Sequence, residues 1–361
     1  MPHLFEPLKL RDITFRNRIG ISPMCQYSSV DGFANDWHLV HLGSRAVGGA
    51  GMVMVEATAV EPRGRISPDD MGIWSDDHVE PLARIARFIK QHGAVPAIQL
   101  AHAGRKASTS APWKGHKVLS PSEGGWQPVG PSVAPFEGLA VPSALAGPEQ
   151  SRGAASQIKE VQQHFVAATR RALDAGFELI ELHGAHGYLA HSFYSPLSNF
   201  RTDEYGRSFD NRTRFITETA AAMRKTIPDR LPFFVRLSCS DWVEGGWTID
   251  DSVKLSGRLK ELGTDLIDCS SGGNVNVKIP VGPGYQVPFA ERIRRDAAVA
   301  TAAVGLITEA GQADEIVRSG KADMVLIARA SLRDSYFPVH AAIELGHREN
   351  LPLSQQYRRA F

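Results

Sequence analysis

The chain is poor in cysteine, with only Cys25, Cys239 and Cys269 among 361 residues. They are far apart and share no paired spacing. That argues against disulfides and metal clusters and suits a reducing, cytoplasmic setting. Charge of one sign is also lacking, because the formal net charge is +1 and no basic tract occurs. Nucleic-acid proteins bind by neutralising phosphates, so that class is disfavoured. No apolar run approaches the roughly 20 residues of a membrane span. The opening Met1-Pro-His-Leu-Phe-Glu-Pro7 lacks the charged-then-apolar order of a secretory signal. What is present is ordinary for a globular protein with a sizeable core: 43% hydrophobic and 22% charged residues.

Apolar strand-like runs alternate with helical patterns along the whole chain. The runs fall at 18–24, 51–58, 95–101, 179–183, 233–238, 266–270, 302–305 and 324–328. Amphipathic helices are expected at 79–92, 158–175, 211–226, 248–262, 289–297 and 309–319. Strand then helix, about eight times with one composition, predicts a single α/β domain over 1–361, a (β/α)8 TIM barrel. A doubly wound sheet is the runner-up, but it carries a Gly-rich phosphate turn after its first strand. Here that strand ends in Ser22-Pro23-Met24-Cys25. Residues 107–150, rich in Pro, Gly and Ser, form an insertion between strands three and four. It is too long for a routine connection and is expected to cap the carboxyl face, with a short hairpin. A second polar excursion covers 195–212.

The segment Glu178-Leu-Ile-Glu-Leu-His183-Gly-Ala-His186-Gly-Tyr188 gathers two imidazoles and a phenol at one strand end. In parallel α/β folds, ligands sit at the carboxyl ends of strands. His183 and His186 suit donation to a carbonyl oxygen, and Tyr188 suits protonation of the adjacent carbon. Structural histidines are one alternative. A zinc pair is another, but it needs a third ligand and the next carboxylates, Asp203 and Glu204, lie in a different loop. Other strand ends deliver Ser22, Pro23, Met24, Cys25 and Tyr27, then Glu56-Ala57, then Gln99, His102 and Lys106, then Arg236, Gly305, Ala328 and Arg329. The last three match the phosphate position of such barrels, where Gly allows close backbone approach and Arg supplies a planar cation.

Several segments together resemble the Old Yellow Enzyme family, in its bacterial, xenobiotic reductase-like subgroup with a cysteine beside the flavin. They are Asn17-Arg-Ile, Ser22-Pro-Met-Cys-Gln-Tyr27, Val55-Glu-Ala-Thr-Ala-Val60, Gln99-Leu-Ala-His-Ala-Gly-Arg-Lys106, His183-Gly-Ala-His-Gly-Tyr188, Arg201-Thr-Asp-Glu-Tyr-Gly206, Val235-Arg236 and Gly284-Tyr-Gln-Val287. The motifs run in order from about residue 3 to the end of the chain. The resemblance implies non-covalent FMN at the carboxyl face of the barrel, with NADPH or NADH as hydride donor. Ser22, Pro23, Met24, Cys25 and Ala57 would flank the isoalloxazine, and Gln99 would bond its pyrimidine edge. Arg236 would sit near N1, and Gly305, Ala328 and Arg329 would hold the phosphate. Cys25 would tune the flavin potential. His183 and His186 would bind the carbonyl of an α,β-unsaturated substrate, Tyr188 would protonate it, and Tyr27 would line the pocket.

The resemblance also implies a homodimer. The tail 350–361 would reach a neighbouring subunit, with Arg359 entering the partner site and Tyr357 and Phe361 as anchors. This sequence departs from the family in having Arg207 where a second Gly is frequent, and in a longer 107–130 stretch. It also lacks the Cys cluster of larger iron–sulfur relatives. The competing classes are a flavin-free barrel lyase or isomerase acting on a phosphorylated substrate, a zinc hydrolase using the histidine pair, and a non-catalytic scaffold.

Overall fold

The structure, a computed structural model, describes residues 3–148, 156–348 and 353–360. Eight strands close into a barrel, each parallel to the next. They are β1 (Ile19–Ile21), β2 (Met52–Ala59), β3 (Val95–Ala101), β4 (Leu179–Gly184), β5 (Phe233–Ser238), β6 (Leu266–Ser270), β7 (Ala300–Ala303) and β8 (Met324–Ile327). One principal helix follows each strand: α1 (Asp36–Val47), α2 (Val79–Gln91), α3 (Gln157–Asp174), α4 (Phe209–Thr226), α5 (Ile249–Glu261), α6 (Val287–Asp296), α7 (Ala310–Arg318) and α8 (Phe337–Glu344). This is the expected (β/α)8 barrel. β1 is shorter than the run at 18–24 because the chain leaves the sheet at Ser22, just before Pro23, which has no amide hydrogen to pair.

Local chemistry explains the elements. α2 buries Leu82, Ile85, Ala86 and Ile89 at helical spacing. Each large side chain among them contributes roughly 1.5–3 kcal/mol of burial. Thr248 and Asp251 form a capping box at the start of α5. Two helices escape the amphipathic pattern. α1 buries His38, His41 and Arg45 while exposing Trp37 and Val40. α8 is apolar almost all round.

Side chains alternate across each strand, so the barrel interior is built in layers. An apolar plug contains Met52, Met54, Ala97, Leu179, Phe234, Leu266, Ala302, Met324 and Leu326. The hairpin formed by Leu8–Leu10 and Ile13–Phe15 seals the amino-terminal end, where Phe15 stacks on Phe234 with ring centres 6.4 Å apart. The open end is therefore the carboxyl face.

The insertion after β3 packs towards that face. Trp126 donates from its indole to the Arg63 carbonyl at 2.9 Å, and the Trp113 ring meets Tyr27 edge-on at 5.7 Å. Within it, Thr109 and Val118 form an antiparallel bridge, the expected short hairpin, and Val129–Gly130 pairs with Ser143–Ala144 in parallel. Residues 149 and 150 of the insertion lie outside the described residues. Among the described residues, no helix is long and apolar enough to cross a membrane.

Candidate active site

Above the apolar plug the barrel interior becomes polar. Gln99 on β3 lies opposite Glu181 on β4 and donates from Nε2 to Glu181 Oε1 at 2.8 Å. Arg236 on β5 lies opposite Asp268 on β6, with Nε 3.0 Å from Asp268 Oδ2. That pair is within ion-pair distance but misaligned for a hydrogen bond, and Arg236 Nε has no hydrogen-bond partner. All four side chains are buried.

The next layer holds the histidines. The His183 ring stands edge-on to His186 at 5.2 Å and to Tyr188 at 5.0 Å. Burial, then the charge of Arg236, pushes both imidazoles well below their ordinary value, so both are neutral. His183 Nδ1 accepts the Ala185 amide at 3.1 Å, which leaves the proton on Nε2 and free to donate. His186 Nε2 instead meets Ser270 Oγ at 2.6 Å. His186 has φ +60°, a strained value for a residue with a Cβ. The turn is held all the same: the His186 amide donates to Ser238 Oγ at 2.9 Å. Lys106 Nζ donates to the carbonyls of His186 and Gly273, both at 2.9 Å. Burial and neighbouring Arg105 lower this amine to about 8. Gly187 is required here, because an added Cβ would lie 2.1 Å from the Gly273 carbonyl.

The segment after β1 approaches from the other side. Cys25, Tyr27 and Tyr188 pack with Trp126 around Ile66, Ala103 and Ala107. The Gln26 amide donates to Glu56 Oε2 at 2.7 Å. Glu56 occupies a β-bulge in β2 between Val55 and Ala57, and bulges re-aim side chains beside sites. Burial, then Asp70 and Glu56, pushes the Cys25 thiol well up, which keeps it protonated and weakly nucleophilic. Burial likewise keeps Tyr27 and Tyr188 protonated.

A cavity of about 260 Å³ opens between the ends of β5 to β8, lined by Arg236, Ser270, Gly305, Ala328, Arg329 and Arg333 among others. Gly305 has φ +118°, and an added Cβ would lie 2.9 Å from Gln286 Nε2. Among the described residues Arg329 has no ion-pair partner. Arginines clustered around a glycine-lined hollow fit a phosphate group, and Arg236 with its unpartnered Nε fits an electron-rich ring edge. The residues present therefore suit FMN.

Ser22, Pro23, Met24, Cys25, Tyr27, Ala57, Gln99, His183, His186, Tyr188, Arg236, Gly305, Ala328 and Arg329 thus all belong to the carboxyl face. Arg359 does not join them. It is exposed in the turn Gln355–Ala360, and nearby Ser354 meets His92 Nδ1 at 3.3 Å, in the turn that feeds β3. Phe361 lies outside the described residues. Among the described residues, no group of three His, Cys, Asp or Glu side chains could hold a metal ion, so the zinc reading has no ligand set. Sequence reasoning gave Lys106 no role and passed over Glu181 and Asp268. A carboxylate inside an apolar strand was the available signal, since such residues are seldom fully buried.

Known proteins resemble this chain in sequence and in fold. The model of the NADH:flavin oxidoreductase / NADH oxidase family matches residues 3–347. The NADPH dehydrogenase of Geobacillus sp. (strain WCH70) is 48% identical over 361 residues, covering 99% of this chain and 98% of that one. Morphinone reductase in complex with tetrahydroNAD is 25% identical with a TM-score of 0.78, over 96% of this chain and 92% of that chain. An old yellow enzyme homologue from Zymomonas mobilis, at 24% identity, shares the fold with a TM-score of 0.77 over 98% and 97% of the two chains.

Proposed function

The chain belongs to the NADH:flavin oxidoreductase / NADH oxidase family, and from that membership we propose that it reduces the activated C=C bond of α,β-unsaturated carbonyl compounds. It is an oxidoreductase that uses FMN and a nicotinamide donor, as its family and relatives imply. Membership leaves the flavin-free lyase reading without support. Bound FMN supplies the two-electron carrier between NAD(P)H and the alkene.

The chain's own residues orient, polarise and protonate. Ser22, Pro23, Met24 and Ala57 bound the ring site, and Gln99 and Arg236 face its polar edge. Gly305, Ala328 and Arg329 hold the phosphate. A cation beside developing negative charge is worth on the order of 4 kcal/mol at about 4 Å and an effective dielectric near 20. Cys25 stays a thiol and acts through polarity.

His183 donates from Nε2 to the substrate carbonyl. His186 donates from Nδ1 when the Ser270 hydroxyl donates to its Nε2. Neutral donors aimed at a developing enolate are worth roughly 3–4 kcal/mol each in other enzymes. Tyr188, kept protonated by burial, delivers the proton to the α-carbon, and Tyr27 walls the pocket. The 107–150 insertion caps the site, and the whole chain forms one domain.

A cytoplasmic homodimer completes the reading, with Arg359 of each chain serving the partner site. An exposed Arg359 on the far side of its own barrel supports reach in trans, and a two-fold axis would make that exchange reciprocal.

The observation that carries the enone reading is the packing of Tyr188 against His183 at 5.0 Å, beside Cys25 and Tyr27. Purified protein is expected to be yellow and to oxidise NADPH when cyclohexenone is added. Yellow protein that reduces no enone or enal would overturn the substrate class while leaving the family intact.

A further inference from the structure

Two carboxyl groups lie in the field of one guanidinium inside the barrel: Asp268 at ion-pair distance from Arg236, and Glu181 farther off. Glu181 and Asp268 are both fully buried, on the strands that flank β5 and its Arg236. With both carboxyls ionised, this buried layer would carry a net charge of −1. Burying an unbalanced charge is costly, and such groups neutralise instead.

A second observation points the same way. Glu181 Oε2, Asp268 Oδ1 and Asp268 Oδ2 have no hydrogen-bond partner. Only Glu181 Oε1 is satisfied, by Gln99. Unpartnered carboxyl oxygens facing a single cation are what a bound proton would relieve.

The surroundings limit where that proton can go. Gln99 on β3 is neutral, and Arg236 on β5 stays charged. At the end of β4 and in the turn beyond it, His183 and His186 are held neutral. At the interior level β2, β7 and β8 contribute the apolar Met54, Val304 and Leu326, and Gly20 of β1 leaves no room for a side chain. Burial raises both acids. Asp268 raises Glu181 further, and Arg236 pulls both down.

We propose that Glu181 and Asp268 hold one proton between them and take up a second when negative charge is placed against Arg236, so that flavin reduction draws a proton from solvent into the barrel. This rests on the reading that Arg236 faces the flavin. Hydride transfer from NAD(P)H carries two electrons and one proton into the flavin and adds one negative charge to it. The second proton comes from solvent and forms an O–H bond on the remaining carboxylate. It leaves again when hydride passes to the alkene. The α-carbon proton from Tyr188 is separate.

The test is the midpoint potential of the bound flavin against pH, by spectroelectrochemistry on the holoenzyme. For a two-electron couple, each proton taken up contributes about 30 mV per pH unit. The wild type is expected to show about 60 mV per pH unit between about pH 6 and 8, which is two protons. Glu181→Gln and Asp268→Asn should each move that window along the pH axis, and the double variant should fall to about 30 mV per unit. A one-proton slope in the wild type throughout, or a double variant with the wild-type profile, overturns the proposal. If the double variant does not fold, a window left unmoved by both single variants does the same. Protein that binds no FMN would instead refute the functional reading beneath it.

Discussion

His191 Nε2 stands 2.9 Å from Asp241 Oδ1, and neither side chain is exposed. His191 Nδ1 accepts the Gly187 amide at 2.9 Å, so the ring proton sits on Nε2, close to the carboxylate though misaligned for a hydrogen bond. The other Asp241 oxygen accepts from the Ser195 hydroxyl at 2.6 Å and the Trp247 amide at 2.9 Å. Burial pushes this carboxyl up, but His191, Ser195 and the Trp247 amide outweigh it and hold it below its ordinary range. Gly187 separates His186 from Tyr188, so one buried pair pins the turn that carries both. Asp241→Asn is therefore expected to cost about 1–3 kcal/mol, the range for leaving a buried polar group without its partner. Urea denaturation measures this, and a loss under about 1 kcal/mol would mean that the turn holds without the pair.

His183→Ala should slow the enone half-reaction by about 10²-fold, the scale of a lost oxyanion donor. Flavin reduction by NADPH should change much less. Stopped-flow measurement of the two half-reactions separates them. Equal losses would assign His183 to the fold.

Removing residues 357–361 should raise the Michaelis constant for the enone with a smaller effect on kcat, because Arg359 would bind substrate without taking part in the chemistry. Steady-state kinetics and sedimentation of the truncated protein decide the matter. Unchanged kinetics and mass would refute a site completed by the partner.

Arg207 adopts φ +68°, a left-handed backbone that glycine takes up without strain. A residue with a Cβ loses roughly 1–2 kcal/mol there, and glycine gives back part of that gain through unfolded-state entropy. Arg207→Gly should thus stabilise the protein by about 0.5–1 kcal/mol in thermal or chemical denaturation. Destabilisation would show that the side chain itself contributes contacts.

Stability should peak near pH 6.5. Burial keeps His183 and His186 neutral when folded and lowers His41 to about 3. Unfolded, each binds a proton below about pH 6.5. Acidification through that value therefore removes about 1.4 kcal/mol per pH unit for each histidine. Burial raises Glu181 to about 8, Asp70 to about 7 and Asp268 to about 6. Folded, they keep protons that the unfolded chain loses above about pH 4, so stability falls as pH rises towards those values. Between about pH 4 and 6 the two sets offset each other. Of these groups, only the raised acids act above about 6.5 and only the histidines below about 4. Urea midpoints at about pH 3.5, 6.5 and 8.5 test this, and a midpoint that climbs steadily to the alkaline end would contradict it.

The barrel was legible in the chain because each buried strand is a short apolar run between turn signals, and amphipathic helices follow most of them. Periodicity is a local property, so it survives without knowledge of the fold. The two helices it missed, α1 and α8, are those whose faces are set by particular neighbours. In α1, Arg45 is buried because its Nη2 donates to the Ser331 carbonyl at 2.9 Å, 286 residues away. The strand-end residues from Ser22 to Arg329 could be named in sequence because a barrel sends every strand's carboxyl end to one face. Their working states could not be named. The thiol of Cys25 and the neutral rings of His183 and His186 owe their protonation to burial and to charges distant in sequence, and the lowered amine of Lys106 owes its value chiefly to burial. The Glu181, Asp268 and Arg236 layer has the same origin. Each carboxylate reads in sequence as one polar residue in an apolar run, and only closure of the barrel sets two acids around one guanidinium away from bulk solvent. Sequence determined which side chains reach the face. Closure decided which of them share a field, because electrostatic coupling depends on distance through space and on the exclusion of solvent.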